Sequence, residues 1–142
     1  MKALVAVAVL VVAGCSAVAS APSEFSISGV IRLTSSSGDY YSGMPKTCPL
    51  TKDGYADLAQ GAQVTVYDVD GKAVALGTIG DTAPVESGKA SGFGPWIDQC
   101  DLSFSVAGVP EGEKIYSIEV AHRGQVRFTR DQLNEPVSLS IG

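Results

Sequence analysis

This chain of 142 residues has one histidine, one tryptophan and three cysteines, and only ten lysines and arginines. Each scarcity excludes something. A general base needs a partner within hydrogen-bond reach, and nothing in the sequence supplies one for His122. His122 also stands in no ligand-like spacing with a cysteine, so no zinc set is present. There is no Gly-x-Ser-x-Gly elbow for a nucleophilic serine. The basic residues Arg32, Lys46, Lys52, Lys72, Lys89, Lys114, Arg123, Arg127 and Arg130 are scattered and form no phosphate-reading stripe, which argues against nucleic acid as a partner. No apolar run reaches the roughly 20 residues that span a bilayer. Asp68-Val69-Asp70-Gly71 opens like a calcium loop, but the twelfth position, where that loop needs glutamate, is Ile79. A hairpin turn capped by aspartates is the expectation there. The sequence therefore predicts a protein that is not an enzyme and carries no cofactor.

What is present begins at the N-terminus. Lys2 precedes a short apolar run, Ala3 to Val12, and the small residues Ala13 and Gly14 lead to Cys15. This is the layout of an export signal. Val12-Ala13-Gly14-Cys15 resembles the bacterial lipobox, which implies a diacylglyceryl group on Cys15 and a mature chain that starts there. The expected organisation is a signal peptide over 1–14, a lipidated tether over 15–24 and one β-sandwich domain over 25–142. Removing 14 of the 142 residues leaves 128, enough for one sandwich with its own core. The tether reaches on the order of 30 Å when extended. Loss of Lys2 moves the formal charge from −5 to −6. An acidic domain is not drawn to anionic headgroups, so the membrane is expected as a partner through the acyl chains alone. The expected location is the extracytoplasmic face of the cell membrane.

With Cys15 assigned to lipid, Cys48 and Cys100 remain as an even pair in an oxidising compartment, and a disulfide is predicted between them. Two free buried thiols and a metal pair are the alternatives.

Strand signals follow at regular intervals. Phe25 to Leu33, Gln63 to Val69, Cys100 to Val106, Ile115 to Ala121 and Pro136 to Ile141 alternate apolar and polar positions. Asp70-Gly71 predicts a tight turn into a second strand over Lys72 to Ile79, and Gln125 to Phe128 reads as a short strand. Thr129 and Gln132 have capping-box spacing for one helical turn. Thr34 to Ala59 and Gly80 to Asp98 read as two long irregular stretches. The sum is all-β, about seven strands, an immunoglobulin-like or transthyretin-like Greek-key sandwich with two long loops.

Ile27-Ser28-Gly29-Val30, Gly61-Ala62-Gln63-Val64-Thr65-Val66, Phe104-Ser105-Val106 with Val109-Pro110 and Gly112, and Tyr116-Ser117-Ile118-Glu119-Val120 resemble carboxypeptidase-regulatory and transthyretin-like sandwich domains. That implies an accessory or adhesive module without catalysis. Cys48, Gly54-Tyr55-Ala56-Asp57-Leu58, Cys100-x-x-x-Phe104, Tyr116-x-Ile118-Glu119-Val120-Ala121-His122-Arg123-Gly124 and the final Leu139-Ser140-Ile141-Gly142 resemble small envelope lipoproteins of mycobacteria and related actinobacteria, some carried by phages or prophages. This second resemblance implies an envelope address and no reaction.

Tyr40, Tyr41, Met44 and Trp96 lie in the two irregular stretches. Aromatics on exposed loops form contact patches, and they also fold over the open end of a sandwich. The leading expectation is a non-enzymatic, lipid-anchored binding module that recognises an envelope protein or other envelope component. A phage-derived surface lipoprotein that excludes superinfecting phage, and a carrier of a lipid or other hydrophobic ligand, are the alternatives.

Overall fold

The computed structural model describes residues 20–142 apart from 53 and 91. The expected signal peptide, Cys15 and most of the expected tether lie outside the described residues. Seven strands are seen among the described residues: β1 Glu24–Tyr40, β2 Gln63–Tyr67, β3 Ala73–Ala90, β4 Gly94–Pro110, β5 Ile115–Val120, β6 Gln125–Thr129 and β7 Val137–Ile141. They form one mixed sheet in the order β6-β5-β2-β3-β4-β1-β7, in which only β1 and β7 pair in parallel. The fold is all-β, as the sequence predicts. The sheet curls into a half-barrel, so strands near its two margins share one core. Tyr116 and Ile118 of β5 and Val137 and Leu139 of β7 belong to the same buried cluster as Ile31, Leu33, Leu102 and Phe104.

The core follows from the period-2 rule. In β4, Cys100, Leu102, Phe104 and Val106 are buried while Ser103 and Ser105 are exposed. In β2, Val64 and Val66 point inward, and Thr65 is covered on the outer face. Gly29 permits the parallel contact of β1 with β7, since a Cβ there would stand 2.4 Å from the Val137 carbonyl oxygen and 2.6 Å from the Phe104 ring.

Residues 41–62 form a strap between β1 and β2. It contains two short 3-10 turns, Pro49–Lys52 and Ala56–Leu58, and buries Cys48, Leu50 and Leu58 in the core. Cys48 and Cys100 are joined by a disulfide. Arg123, just after β5, grips the strap from the other side. Its guanidinium donates twice to the Asp57 carboxylate, at 2.6 and 2.5 Å, and once to the Gly54 carbonyl at 3.2 Å, and lies 5.0 Å from the centre of the Tyr55 ring. The capping box at Thr129 and Gln132 is present. The Thr129 N–H donates to Gln132 Oε1 at 2.8 Å, and the Gln132 N–H donates to Thr129 Oγ1 at 3.4 Å, just before and within the turn Asp131–Asn134.

One expectation is overturned. The stretch from Gly80 to Asp98 is not a loop, because β3 and β4 run through it almost continuously, and β1 continues past Leu33 to Tyr40. Beyond the body of the sheet these three strands form an arm with β4 in the middle. Asp39 and Tyr40 face Ile97 and Trp96 across β1/β4, and Glu86 and Gly88 face the same two residues across β3/β4. Alternation fades here because the arm extends past the shared core. Pro84 is tolerated in β3 because β2 pairs only as far as Thr78, which leaves Pro84 on an edge.

Candidate functional site

The end of the arm gathers aromatic side chains. Tyr40 is the last residue of β1, and Trp96 sits opposite it in β4. Their ring centres are 4.8 Å apart with planes at 61°, and Phe93, in the turn between β3 and β4, stands 5.5 Å from Tyr40 at 41°. Phe93 is 66 % exposed, Met44 51 % and Tyr40 42 %, whereas Trp96 is half-buried. Of the four residues singled out in the sequence, Tyr40 and Trp96 touch. Tyr41 follows directly and donates its backbone N–H to the Pro95 carbonyl at 3.1 Å. Met44 lies further along the strap. Two of the four are therefore strand residues and not loop residues. Phe93 is the member that the sequence reading missed.

Two glycines shape this tip. A Cβ at Gly38 would fall 2.6 Å from Trp96 Cε2 and 2.8 Å from the Ile97 carbonyl oxygen, so the indole rests on bare backbone. Gly94 has φ +80 and leaves no room for a Cβ, which would fall 2.2 Å from the Tyr41 carbonyl oxygen. Asp39 accepts a hydrogen bond from the Tyr40 N–H at 2.8 Å, and Asp98 accepts one from the Ser87 hydroxyl. Tyrosine, phenylalanine and tryptophan on a hydrogen-bonded arm offer large apolar area with few rotatable bonds, the chemistry of a contact surface.

Several polar side chains elsewhere are engaged structurally. Asp68 accepts from the backbone N–H groups of Asp70 and Lys72 at 3.0 and 2.8 Å, so it caps the β2–β3 turn. His122 has φ 63 and Ala121 φ 46, which makes them the two central residues of the β5–β6 turn. Arg32 pairs with Asp101 at 2.7 Å and Arg130 with Glu111 at 2.6 Å. The guanidinium bonds hold the Asp57, Asp101 and Glu111 carboxyls below their ordinary values. The Tyr67 hydroxyl donates to Glu119 at 2.5 Å, which raises the phenol above its usual value. No cluster of three or more potential metal ligands occurs among the described residues.

Two surface depressions lie away from the arm. One of about 260 Å³ is lined by residues that include Asp68, Ile115, Ser117 and Arg127, and one of about 460 Å³ by Glu113, Lys114, Thr129, Arg130 and Asp131. Neither is lined by the aromatic residues of the tip. Comparison of the chain with protein-family models, with curated proteins and with solved structures found no match.

Proposed function

We propose that this chain is a non-enzymatic, lipid-anchored module on the extracytoplasmic face of a cell membrane, and that it binds another envelope component through the aromatic tip of its arm. The observation that carries this reading is the placement of the tip on β1. The tether enters that strand at Glu24, and the aromatic cluster begins at its other end, at Tyr40. The β1–β4 ladder runs from Glu24 opposite Pro110 to Tyr40 opposite Trp96, which sets those ends up to about 45 Å apart at roughly 3.3 Å per residue of β4. A domain held at Glu24 thus carries its contact surface at its far end. The signal-like N-terminus and Cys15 support the anchor. The non-enzymatic reading draws on the engaged carboxylates and on the turn position of His122.

Two measurements test it. Intact mass of the membrane-fraction protein, with Cys15→Ala as control, should give a diacylglyceryl-modified chain that starts at Cys15; an unmodified soluble chain refutes the anchor. Retention of the soluble Cys15→Ser chain on isolated envelopes should fall when Phe93 and Tyr40 are both changed to serine. Equal retention of that variant refutes the role of the tip.

A further inference from the structure

We infer that the occupant of the aromatic tip is a folded protein that offers an apolar pocket with a basic rim. This rests on the reading of the tip as a binding surface and names the partner class it takes.

Shape is the first argument. The rings of Tyr40, Trp96 and Phe93 meet at 61° and 41°, so they build a ridge and not a flat platform. One side of the indole is already laid on Gly38. A sugar ring stacks on an open, flat aromatic face, whereas a ridge inserts into a pocket, as aromatic anchors do at protein interfaces.

Composition is the second. Residues 35–44 read Ser-Ser-Ser-Gly-Asp-Tyr-Tyr-Ser-Gly-Met, and 92–96 read Gly-Phe-Gly-Pro-Trp. Tyrosine and tryptophan for rigid area, with serine and glycine for adaptable hydrogen bonding, is the mixture that protein-binding loops use.

Charge is the third. Asp39 adjoins Tyr40, and Asp98 lies two positions from Trp96 on the same face of β4. The whole chain is acidic. Against Asp39, Glu86 and Asp98 the three strands of the arm carry one lysine, Lys89, opposite Pro95, so the excess charge is acidic and favours a basic rim around the pocket.

The edges of the arm are the fourth. Past Thr78 the outer side of β3 carries Asp81, Pro84 and Glu86, and past Leu33 β1 carries a register irregularity and Asp39. Charge, proline and irregular register are the devices that block strand-to-strand association. The arm is therefore built against edge pairing with a second copy, and its aromatic face is left for contact.

The experiment uses the full lipidated chain in its native envelope. A photoreactive phenylalanine analogue replaces either Phe93 or Leu76, which is 61 % exposed on the outer face of β3. Position 93 should give a discrete adduct that position 76 does not. It should resist glycan-degrading enzymes and lipid extraction, and its added mass should differ from that of this chain. The captured protein, purified, should bind the Cys15→Ser chain more weakly at high salt. Phe93→Ser and Tyr40→Ser should each weaken binding by at least about tenfold, and Leu76→Ser should leave it unchanged. No adduct, equal adducts from both positions, an adduct lost on glycan digestion or extracted with lipid, or one of twice the chain's mass overturns the inference. So does binding by the purified protein that the tip substitutions leave intact. Envelope retention that still depends on the tip in those cases keeps the broader reading and removes only the protein partner.

Discussion

Replacing Cys48 and Cys100 together by alanine tests how the strap is held. The bond spans a sequence separation of 52, and the loop-closure relation gives about 14 cal/mol/K, or about 4 kcal/mol at 25 °C, removed from the unfolded chain. Domains of this size are stable by roughly 5–15 kcal/mol, so the loss takes a large share of the total. The strap has other holds. Leu50 and Leu58 are buried, Arg123 grips Asp57, and the Cys48 N–H donates to Thr82 Oγ1 at 3.3 Å. Burial of the two leucines contributes about 1.5–3 kcal/mol each. The expected result is a folded domain with a native far-ultraviolet circular dichroism spectrum and a much lower denaturation midpoint. The assay is equilibrium urea unfolding of the Cys15→Ser chain with and without the two alanines, followed by Trp96 emission and circular dichroism. At a slope of about 2 kcal/mol/M the midpoint falls by about 2 M. A loss below about 1 kcal/mol refutes the loop-closure argument. Loss of all structure refutes the claim that the leucines and Arg123 keep the strap docked.

Arg123→Ala removes the Asp57 pair and the Tyr55 contact; because the pair is partly exposed, it should cost about 1 kcal/mol at neutral pH. The folded chain holds the Asp57 carboxyl below its ordinary 3.8. The stabilisation is therefore present above that value and fades as pH falls through the lower folded value, so the two denaturation midpoints should converge in strong acid. His122→Gly removes a side chain from a left-handed position with φ 63 and should raise stability by roughly 0.5–1 kcal/mol, read as a rise in Tm. A drop in Tm would show that the imidazole makes a contact worth more than the turn strain. Gly38→Ala puts a Cβ 2.6 Å from the indole of Trp96 and should cost about 1–3 kcal/mol, with a shift in Trp96 emission; unchanged emission would mean that the indole does not rest on Gly38.

The legible parts of the sequence are those where one face meets the core. Cys100, Leu102, Phe104 and Val106 alternate because every second residue of β4 is buried there. The same strand continues back to Gly94, where the half-buried Trp96 and the surrounding glycine and proline give no such rhythm. β3 likewise loses its pattern after Ile79, since it passes out of the shared core and is held by backbone pairing with β4. Backbone hydrogen bonds leave no mark on side-chain order, and Gly80 to Asp98 consequently reads as loop. The disulfide was legible from the cysteine number and the expected export of the chain. Tyr40 and Trp96 were legible as residue types, but their direct pairing across two strands was not. Phe93 had one signal, its position between Gly92 and Gly94, both with positive φ; a large apolar residue set between two such glycines marks an exposed turn. The β5–β6 turn is centred on Ala121 and His122 and closes at Arg123, whose side chain reaches Asp57.

β1 has a mechanical consequence. It begins where the tether arrives and ends at Tyr40. On the proposed reading, a partner that grips Tyr40 and a membrane that holds the N-terminus pull on two points of one polypeptide segment. Most of that segment is extended strand, but between Thr34 and Asp39 five steps of β1 face two of β4, and this bulge is the slack that tension draws out first. After that, tension passes along the covalent backbone of β1. The hydrogen bonds to β4 and β7 lie across the line of force, and the buried core stands beside it. Load applied between the tip and Glu24 is thus carried without a demand that the core of the domain unfold.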